Sequence, residues 1–271
     1  TLSGKVESRI STGFHDLDKI TGGFKKGELT ILASRTSVGK TSLALNIYAN
    51  ILEQNSTKHV TFFSMEMSTT QITTRLICAE SGVPESKFIN RSITKQDVIS
   101  FKNSVEKIEH FNGLLDQTPS MTIEKLTEKV IAVKKEYDTN LIIIDYLQLM
   151  KSTREGSSRQ QELSEMVTKL KTLARELDIP ILVLSQLSRE IEKTPTNPTC
   201  QDFRRSLKPK SIEEDADVIM FLHRDTNNDK CLSDQKMKIG LETKLVINKN
   251  RTGNVGEIFL KFLRKITKFI D

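Results

Sequence analysis

Apolar residues in this chain fall into short, nearly continuous runs, separated by stretches in which they recur every three or four positions. The runs LTILAS (29–34), VTFFSM (60–65), LIIIDYL (141–147), ILVLSQ (181–186), DVIMFL (217–222) and KLVINK (244–249) predict strands. Several are apolar at both alternating positions, as strands covered on both faces must be. Between them, TSLALNIYANILE predicts a helix with Leu43, Ile47 and Ile51 on one face and Ala44, Tyr48 and Leu52 beside them. The stretch from Gln71 to Lys135 reads as mostly helical, broken at Gly82-Val83-Pro84 and around Thr118-Pro119. A further helix, Gln160 to Leu177, carries Leu163, Met166, Leu170 and Leu173 at core spacing. Lys151 to Arg159 and Lys193 to Lys210 read as loops, the second holding three prolines and a basic cluster. Strands alternating with helices predict an α/β fold with a mostly parallel, twisted sheet and crossover helices. No repeat and no linker divides the pattern, so one domain over residues 1–271 is expected.

Composition narrows this without redirecting it. With 271 residues, 37% of them hydrophobic and 28% charged, the chain can bury a sizeable core, and no apolar run is long enough for a membrane span. A formal charge of +6 suits a polyanionic partner, although lysine-rich surfaces are common. Cys78, Cys200 and Cys231 form no C-x-x-C pair, and the four histidines are scattered. Neither a disulfide framework nor a zinc site is indicated, and a reducing compartment is expected. The chain begins at Thr1 without an initiator methionine or a leader pattern and reads as an excised fragment.

The chemistry begins at SRTSVGKT, Ser34 to Thr41, which follows a predicted strand and opens a predicted helix. In that setting the residues Ser34, Arg35, Thr36, Ser37, Val38, Gly39, Lys40, Thr41 and Ser42 form a candidate phosphate loop. Backbone N–H groups and the helix dipole would surround the phosphates, Lys40 would neutralise them, and the Thr41 hydroxyl would hold Mg²⁺. The strict pattern has glycine at the first position, where Ser34 stands. The alternative is an ordinary strand-to-helix turn with a chance Gly-Lys-Thr.

Three more strand ends carry polar groups. Asp145 closes LIIID at the carboxyl edge where open parallel sheets place their ligands, and can position Mg²⁺ through its water shell; alone, it reads equally as a strand cap. Glu66 follows VTFFSM, where a strand next to the phosphate loop could supply the carboxylate that deprotonates an attacking water. Its alternative is a solvated strand-end glutamate. Gln186 ends ILVLSQ as an uncharged group able to sense a γ-phosphate.

Phosphate loop, glutamate strand, DYLQ strand and SQ strand come in the order of the RecA-like P-loop NTPase core. The chain resembles, more specifically, the C-terminal motor domain of the DnaB family of replicative helicases. The likeness is carried by STGFHDLDKITGGFKKGELTIL (11–32), SRTSVGKT, VTFFSMEMS, LIIIDYLQLM, SRQQELSEMVTKLKTLARELDIPILVLSQLSRE (158–190), SIEEDADVIMFLHRD (211–225) and INKNRTGNVGEIFLKF (247–262). In that family the first loop position need not be glycine. The resemblance implies a RecA-like fold with a C-terminal β-hairpin region, ATP and Mg²⁺ as cofactors, and a ring, usually of six subunits, that moves 5′ to 3′ along single-stranded DNA. It implies Lys40 and Thr41 on phosphate and metal, Asp145 supporting the metal, Glu66 as catalytic base and Gln186 reading the γ-phosphate. It also implies that Lys249 and Arg251, a Lys-x-Arg pair, reach into the neighbouring subunit's nucleotide; the plainer reading is two basic residues on a surface hairpin. A primase and a loader are implied partners, in a bacterial cytoplasm or a plastid stroma. The family's collar domain and linker helix are not visible before Thr1, so this segment alone is expected to assemble poorly.

The chain departs from the family at QDFRRSLKPKSIEEDAD. Arg205 stands where glutamate is typical, the usual glycine is not identifiable, and LKPK reads as a short insertion. Arg204, Arg205, Ser206, Lys208 and Lys210 are the candidate contacts to the DNA backbone, where each neutralised phosphate releases counterions. Their alternative is a solvated basic run. The rival functions are another RecA-like ATPase, such as a filament-forming recombinase, and a ring-forming regulator that uses ATP as a switch.

Overall fold

The computed structural model of the chain describes residues 9–150, 158–187, 207, 210–224 and 240–271. Its strands are β1 (Leu29–Ser34), β2 (Val60–Ser64), β3 (Gly113–Gln117), β4 (Leu141–Asp145), β5 (Ile181–Gln186), β6 (Val218–His223), β7 (Leu241–Asn250), β8 (Gly256–Leu263) and β9 (Lys268–Ile270). Among the described residues they form one nine-stranded sheet in the order β3-β2-β4-β5-β1-β6-β7-β8-β9. The six strands from β3 to β6 in that order run parallel, and β7, β8 and β9 are antiparallel.

Two apolar layers sandwich the sheet, and β4 shows why its sequence is apolar throughout. Leu141 and Ile143 point into one layer with Phe62, Leu184 and Met220, while Ile142 and Ile144 point into the other with Ile31, Phe63 and Val183. The first layer is closed by α1 (His15–Thr21), α2 (Lys40–Gln54), α3 (Thr69–Ser81) and residues of β8 and β9. The second is closed by α6 (Ile123–Tyr137) and α7 (Arg159–Glu176), through Leu126, Val130, Met166 and Leu170. Fully burying each such side chain contributes about 1.5–3 kcal/mol, so the strand alternation fixes which face each helix covers.

Helix starts follow local chemistry. Ser68, Thr94 and Ser158 each cap a helix, α3, α5 (Lys95–Glu109) and α7, in reciprocal capping boxes with Gln71, Asp97 and Gln161. Two short helices complete the set: α4 (Glu85–Ile89) and α8 (Ser211–Asp215).

The structure differs from the sequence pattern at several places. The helical stretch Gln71–Lys135 contains an edge strand, β3, whose GLLDQ is only partly buried and has no apolar run to announce it. Strand β4 stops at Asp145, and Leu147–Leu149 turns as a 3₁₀ helix. Strand β7 begins at Leu241 and pairs with β8, which together with β9 makes the expected C-terminal hairpin region three strands wide. The loop readings 151–159 and 193–210 lie almost wholly outside the described residues.

Candidate nucleotide-binding site

The phosphate loop is built by a strand that ends and a helix that starts at once. Ser34, the irregular position, belongs to β1; its hydroxyl donates to the Arg35 carbonyl at 2.8 Å and it is buried. The backbone leaves ordinary territory only later, at Ser37 (φ 64°) and Gly39 (φ 114°). Glycine is therefore needed at 39, where an added Cβ would also stand 3.0 Å from the Phe269 ring, and not at 34.

Arg224, at the end of β6, is buried and fixes the loop from behind. Its Nη1 donates to the Val38 carbonyl at 2.9 Å and its Nη2 to the Ser37 carbonyl at 3.3 Å. A trans peptide carries C=O and N–H on opposite sides, so the Val38 and Gly39 N–H groups face away from Arg224. That is the orientation an anion cradle requires.

Beyond the loop lies an open cleft of about 250 Å³, lined by Thr36, Lys40, Thr41, Glu66, Arg75, Tyr146 and Gln186 among others. Register explains the gathering. Ser34 pairs with Gln186 across β1 and β5, and Ser64 with Asp145 across β2 and β4, so all four strand ends open on one edge. Glu66 arrives differently from expectation: β2 does not neighbour β1 but lies beyond β5 and β4, and Glu66 reaches the cleft from the exposed segment after β2.

Asp145 and Lys40 carry the electrostatics. Asp145 is fully buried; burial pushes its carboxyl above the usual carboxylate range, opposed by Lys40 and by the Thr41 hydroxyl, which donates to Oδ2 at 2.8 Å. Burial brings the Lys40 ammonium down to about 8, against the pull of Asp145 and Glu66. Its Nζ stands 4.5 Å from the centre of the Tyr146 ring. Asp145 Oδ1 is buried with no hydrogen-bond partner. A buried carboxylate oxygen left open beside a threonine hydroxyl is a hard-oxygen donor set that suits Mg²⁺ and its waters.

Gln186 donates to the Thr36 hydroxyl at 3.0 Å and so already touches the phosphate loop. Its backbone is held by Gln148: the Gln186 N–H donates to Oε1 at 3.0 Å, while Nε2 donates to the Gln186 carbonyl at 3.1 Å and to the Ser185 hydroxyl at 2.8 Å. Gln148, Tyr146, Arg75 and Arg224 had no role in the sequence reading. The first two lie inside DYLQLM and Arg224 inside VIMFLHRD, so motif membership was available as a signal. Arg75 sits mid-helix with none.

Lys249 and Arg251 stand elsewhere. Asn250 pairs with Val218, the first residue of β6, which lies beside Thr30 near the start of β1. The length of β1, roughly 17–20 Å for a strand of this size, separates them from their own cleft. Lys249 Nζ donates to the carbonyls of Glu213 and Glu214. The Arg251 guanidinium donates to the Glu214 carbonyl and, at 3.3 Å, to Asp217 Oδ1. Of the candidate DNA contacts, Arg204, Arg205, Ser206 and Lys208 lie outside the described residues; Lys210 is exposed at the start of α8. No helix of the described residues is long and apolar enough to cross a membrane.

Comparison with known proteins agrees with this geometry. A family model for the DnaB-like helicase C terminal domain matches residues 9–271. The chain is 39% identical over 276 residues to a probable replicative DNA helicase of Trieres chinensis, covering 99% of this chain and 58% of that protein. It is 38% identical over 264 residues to the replicative DNA helicase DnaB of Geobacillus stearothermophilus, covering 97% and 56%. The chain thus spans little more than half the length of these relatives. Among solved structures it is similar to an isolated ATPase domain, with a TM-score of 0.86, 29% identity, 99% of this chain and 93% of that one covered. A DnaB-like replicative helicase, described with its interactions with primase, gives the same TM-score of 0.86 and 29% identity over 99% of this chain and 64% of that one. The fold is the α/β, RecA-like ATPase fold of those domains.

Proposed function

Because this chain belongs to the DnaB-like helicase C-terminal domain family, we propose that residues 1–271 form one motor domain of a replicative DNA helicase, which hydrolyses ATP in a ring, usually of six subunits, and moves 5′ to 3′ along single-stranded DNA. One observation carries the reading. The phosphate loop, an open buried carboxylate and an exposed glutamate converge on one cleft, while the Lys-x-Arg pair stands at the other end of the sheet, facing whatever packs there.

In this reading the loop N–H groups and Lys40 bind the phosphates of ATP, Ser34 to Ser42 forming the grip. Thr41 and Asp145 hold Mg²⁺, which when bound neutralises phosphate charge and fixes the oxygens' geometry. Glu66 accepts the proton of the attacking water, and Gln186, braced by Gln148 and Thr36, reads the γ-phosphate. Lys249 and Arg251 cannot reach their own cleft across the length of β1, so their role is on a neighbour's nucleotide, which makes turnover depend on assembly. DNA contacts fall to the basic segment 204–210, and a primase and a loader are the proposed protein partners.

The test uses the full-length protein on a fork with a 5′ single-stranded tail. ATP-dependent unwinding that is lost in Lys40→Ala, together with ATP turnover stimulated by single-stranded DNA, is the expected result. Unwinding that survives Lys40→Ala would sink the motor. Turnover indifferent to DNA would favour an ATP switch, and a strand-exchanging filament a recombinase.

A further inference from the structure

The residue that binds Arg251 has a position that the phosphate chemistry alone does not explain. Asp217 lies between α8 and β6, is buried, and uses its carboxylate in two directions. Oδ2 accepts the N–H of Leu29, the first residue of β1, at 2.8 Å, and the Lys171 ammonium of α7 at 2.5 Å. Oδ1 accepts Arg251 Nη1 at 3.3 Å. The backbone repeats the pattern: the Asp217 N–H donates to the Leu29 carbonyl at 2.9 Å, and the Arg251 N–H to the Asp217 carbonyl at 3.0 Å.

The contacts to Leu29 and Lys171 suffice to tie β6 to β1 and α7. The Oδ1 contact does something else. The Arg251 side chain is 46% exposed, against 7% for that of Asp217, so a long, mobile cation open to solvent is held by a rigid, buried anion. Its second guanidinium nitrogen donates to the Glu214 carbonyl, which leaves the fork oriented by two fixed acceptors. A planar guanidinium so held loses little further freedom when it meets a phosphate.

We infer that Asp217 is a positioning residue for the reaction: it sets the pose in which Arg251 is presented to a neighbouring subunit's nucleotide. This rests on the reading of Arg251 as a group acting in trans. The same carboxylate grips the start of β1, whose other end is Ser34 of the chain's own phosphate loop, so the presented arginine is referenced to the strand that carries the local site.

The test compares full-length rings. Asp217→Asn is isosteric, and its amide oxygen still accepts from Leu29, but it loses the charge that holds Arg251. Expected are rings that still form by light scattering, kcat for ATP lowered at least about tenfold, KM within about threefold, and no further loss in Asp217→Asn/Arg251→Ala beyond Arg251→Ala. Lys171→Met removes the carboxylate's other ionic partner and serves as the stability control, with kcat within about twofold of the unmodified protein. In mixed rings, Lys40→Ala subunits are expected to restore turnover to Arg251→Ala subunits by supplying the missing arginine. Lys40→Ala/Asp217→Asn subunits are expected not to.

Several outcomes would overturn the inference: unchanged or raised turnover in Asp217→Asn, additive losses in the double variant, an equal loss in Lys171→Met, or rescue by the doubly altered donor. Should Asp217→Asn rings not form, Asp217→Glu keeps the charge and is expected to give an intermediate kcat; full activity there would overturn it too. If instead Arg251→Ala turns over ATP normally, it is the trans reading itself that fails.

Discussion

The hydroxyl of Thr41 donates to Oδ2 of Asp145 at 2.8 Å, joining the first turn of α2 to the end of β4 across 104 residues of sequence, while Oδ1 of the same carboxylate stays buried with no hydrogen-bond partner. A carboxylate held on one side and open on the other is costly to the fold and useful to a cation.

That cost predicts opposite effects on stability and function in Asp145→Asn. The amide keeps an acceptor for Thr41 but removes the desolvated charge, so thermal stability without nucleotide is expected to hold or rise, by up to about 2 kcal/mol. Mg²⁺-dependent ATP turnover is expected to fall by about a hundredfold or more. Melting curves and a Mg²⁺ titration of turnover check both; a variant that is less stable yet fully active contradicts the assignment.

Lys40 predicts a pH dependence of nucleotide binding. Burial lowers its ammonium to about 8 from the ordinary value of 10.5, and bound phosphate favours the charged form. Affinity for ADP or ATP is therefore expected to be flat below about pH 8 and to weaken above it, by at most about tenfold per unit for one proton. The sign for folding runs the other way. Between about 8 and 10.5 the unfolded chain holds the proton that the folded chain has lost, so this group's penalty, full below 8, is relieved as pH rises. Binding measured across this range should lose its slope in Lys40→Met; a slope that persists there belongs to another group.

Gly39 and Ser34 separate the two glycine positions of the phosphate-loop pattern. Gly39→Ala meets both a left-handed backbone and the Phe269 ring, and is expected to cost about 1–3 kcal/mol and to abolish nucleotide binding. Ser34→Gly restores the strict pattern, yet Ser34 is a buried strand residue with ordinary backbone, so nucleotide affinity should not improve and stability should fall by about 0.5–1 kcal/mol. Tighter binding in Ser34→Gly, read by isothermal titration, would contradict this account.

Glu66→Gln separates binding from chemistry. The side chain is exposed at the cleft and packs no core, so fold and ATP affinity should persist while kcat drops by about 10²–10⁴. A rise in KM at unchanged kcat would instead make Glu66 a binding group.

Much of this was legible in the letters. LIIID and ILVLSQ announced doubly covered strands, GKT after LTILAS announced the phosphate loop, and DYLQLM with EDADVIMF narrowed the family. What escaped was whatever lacked a periodic or compositional signature. GLLDQ of β3 is an edge strand with too few apolar positions to stand out from the helices around it. Arg75 looks like any charged helix residue, yet it lines the cleft. Gln148 lay inside a recognised motif, but nothing in its spacing says that it braces Gln186.

The sequence by itself determined the alternation of elements, the polar groups at the strand ends and the family, because local periodicity and short motifs are properties of neighbours along the chain. Only the tertiary structure decided which strand ends meet. Strand order brought Glu66 to the phosphate loop from a strand that β4 and β5 separate from β1, and set Arg251 at the opposite end of the sheet on Asp217. Such pairings depend on register across long sequence separations, where burial on two faces selects one arrangement that no local pattern encodes.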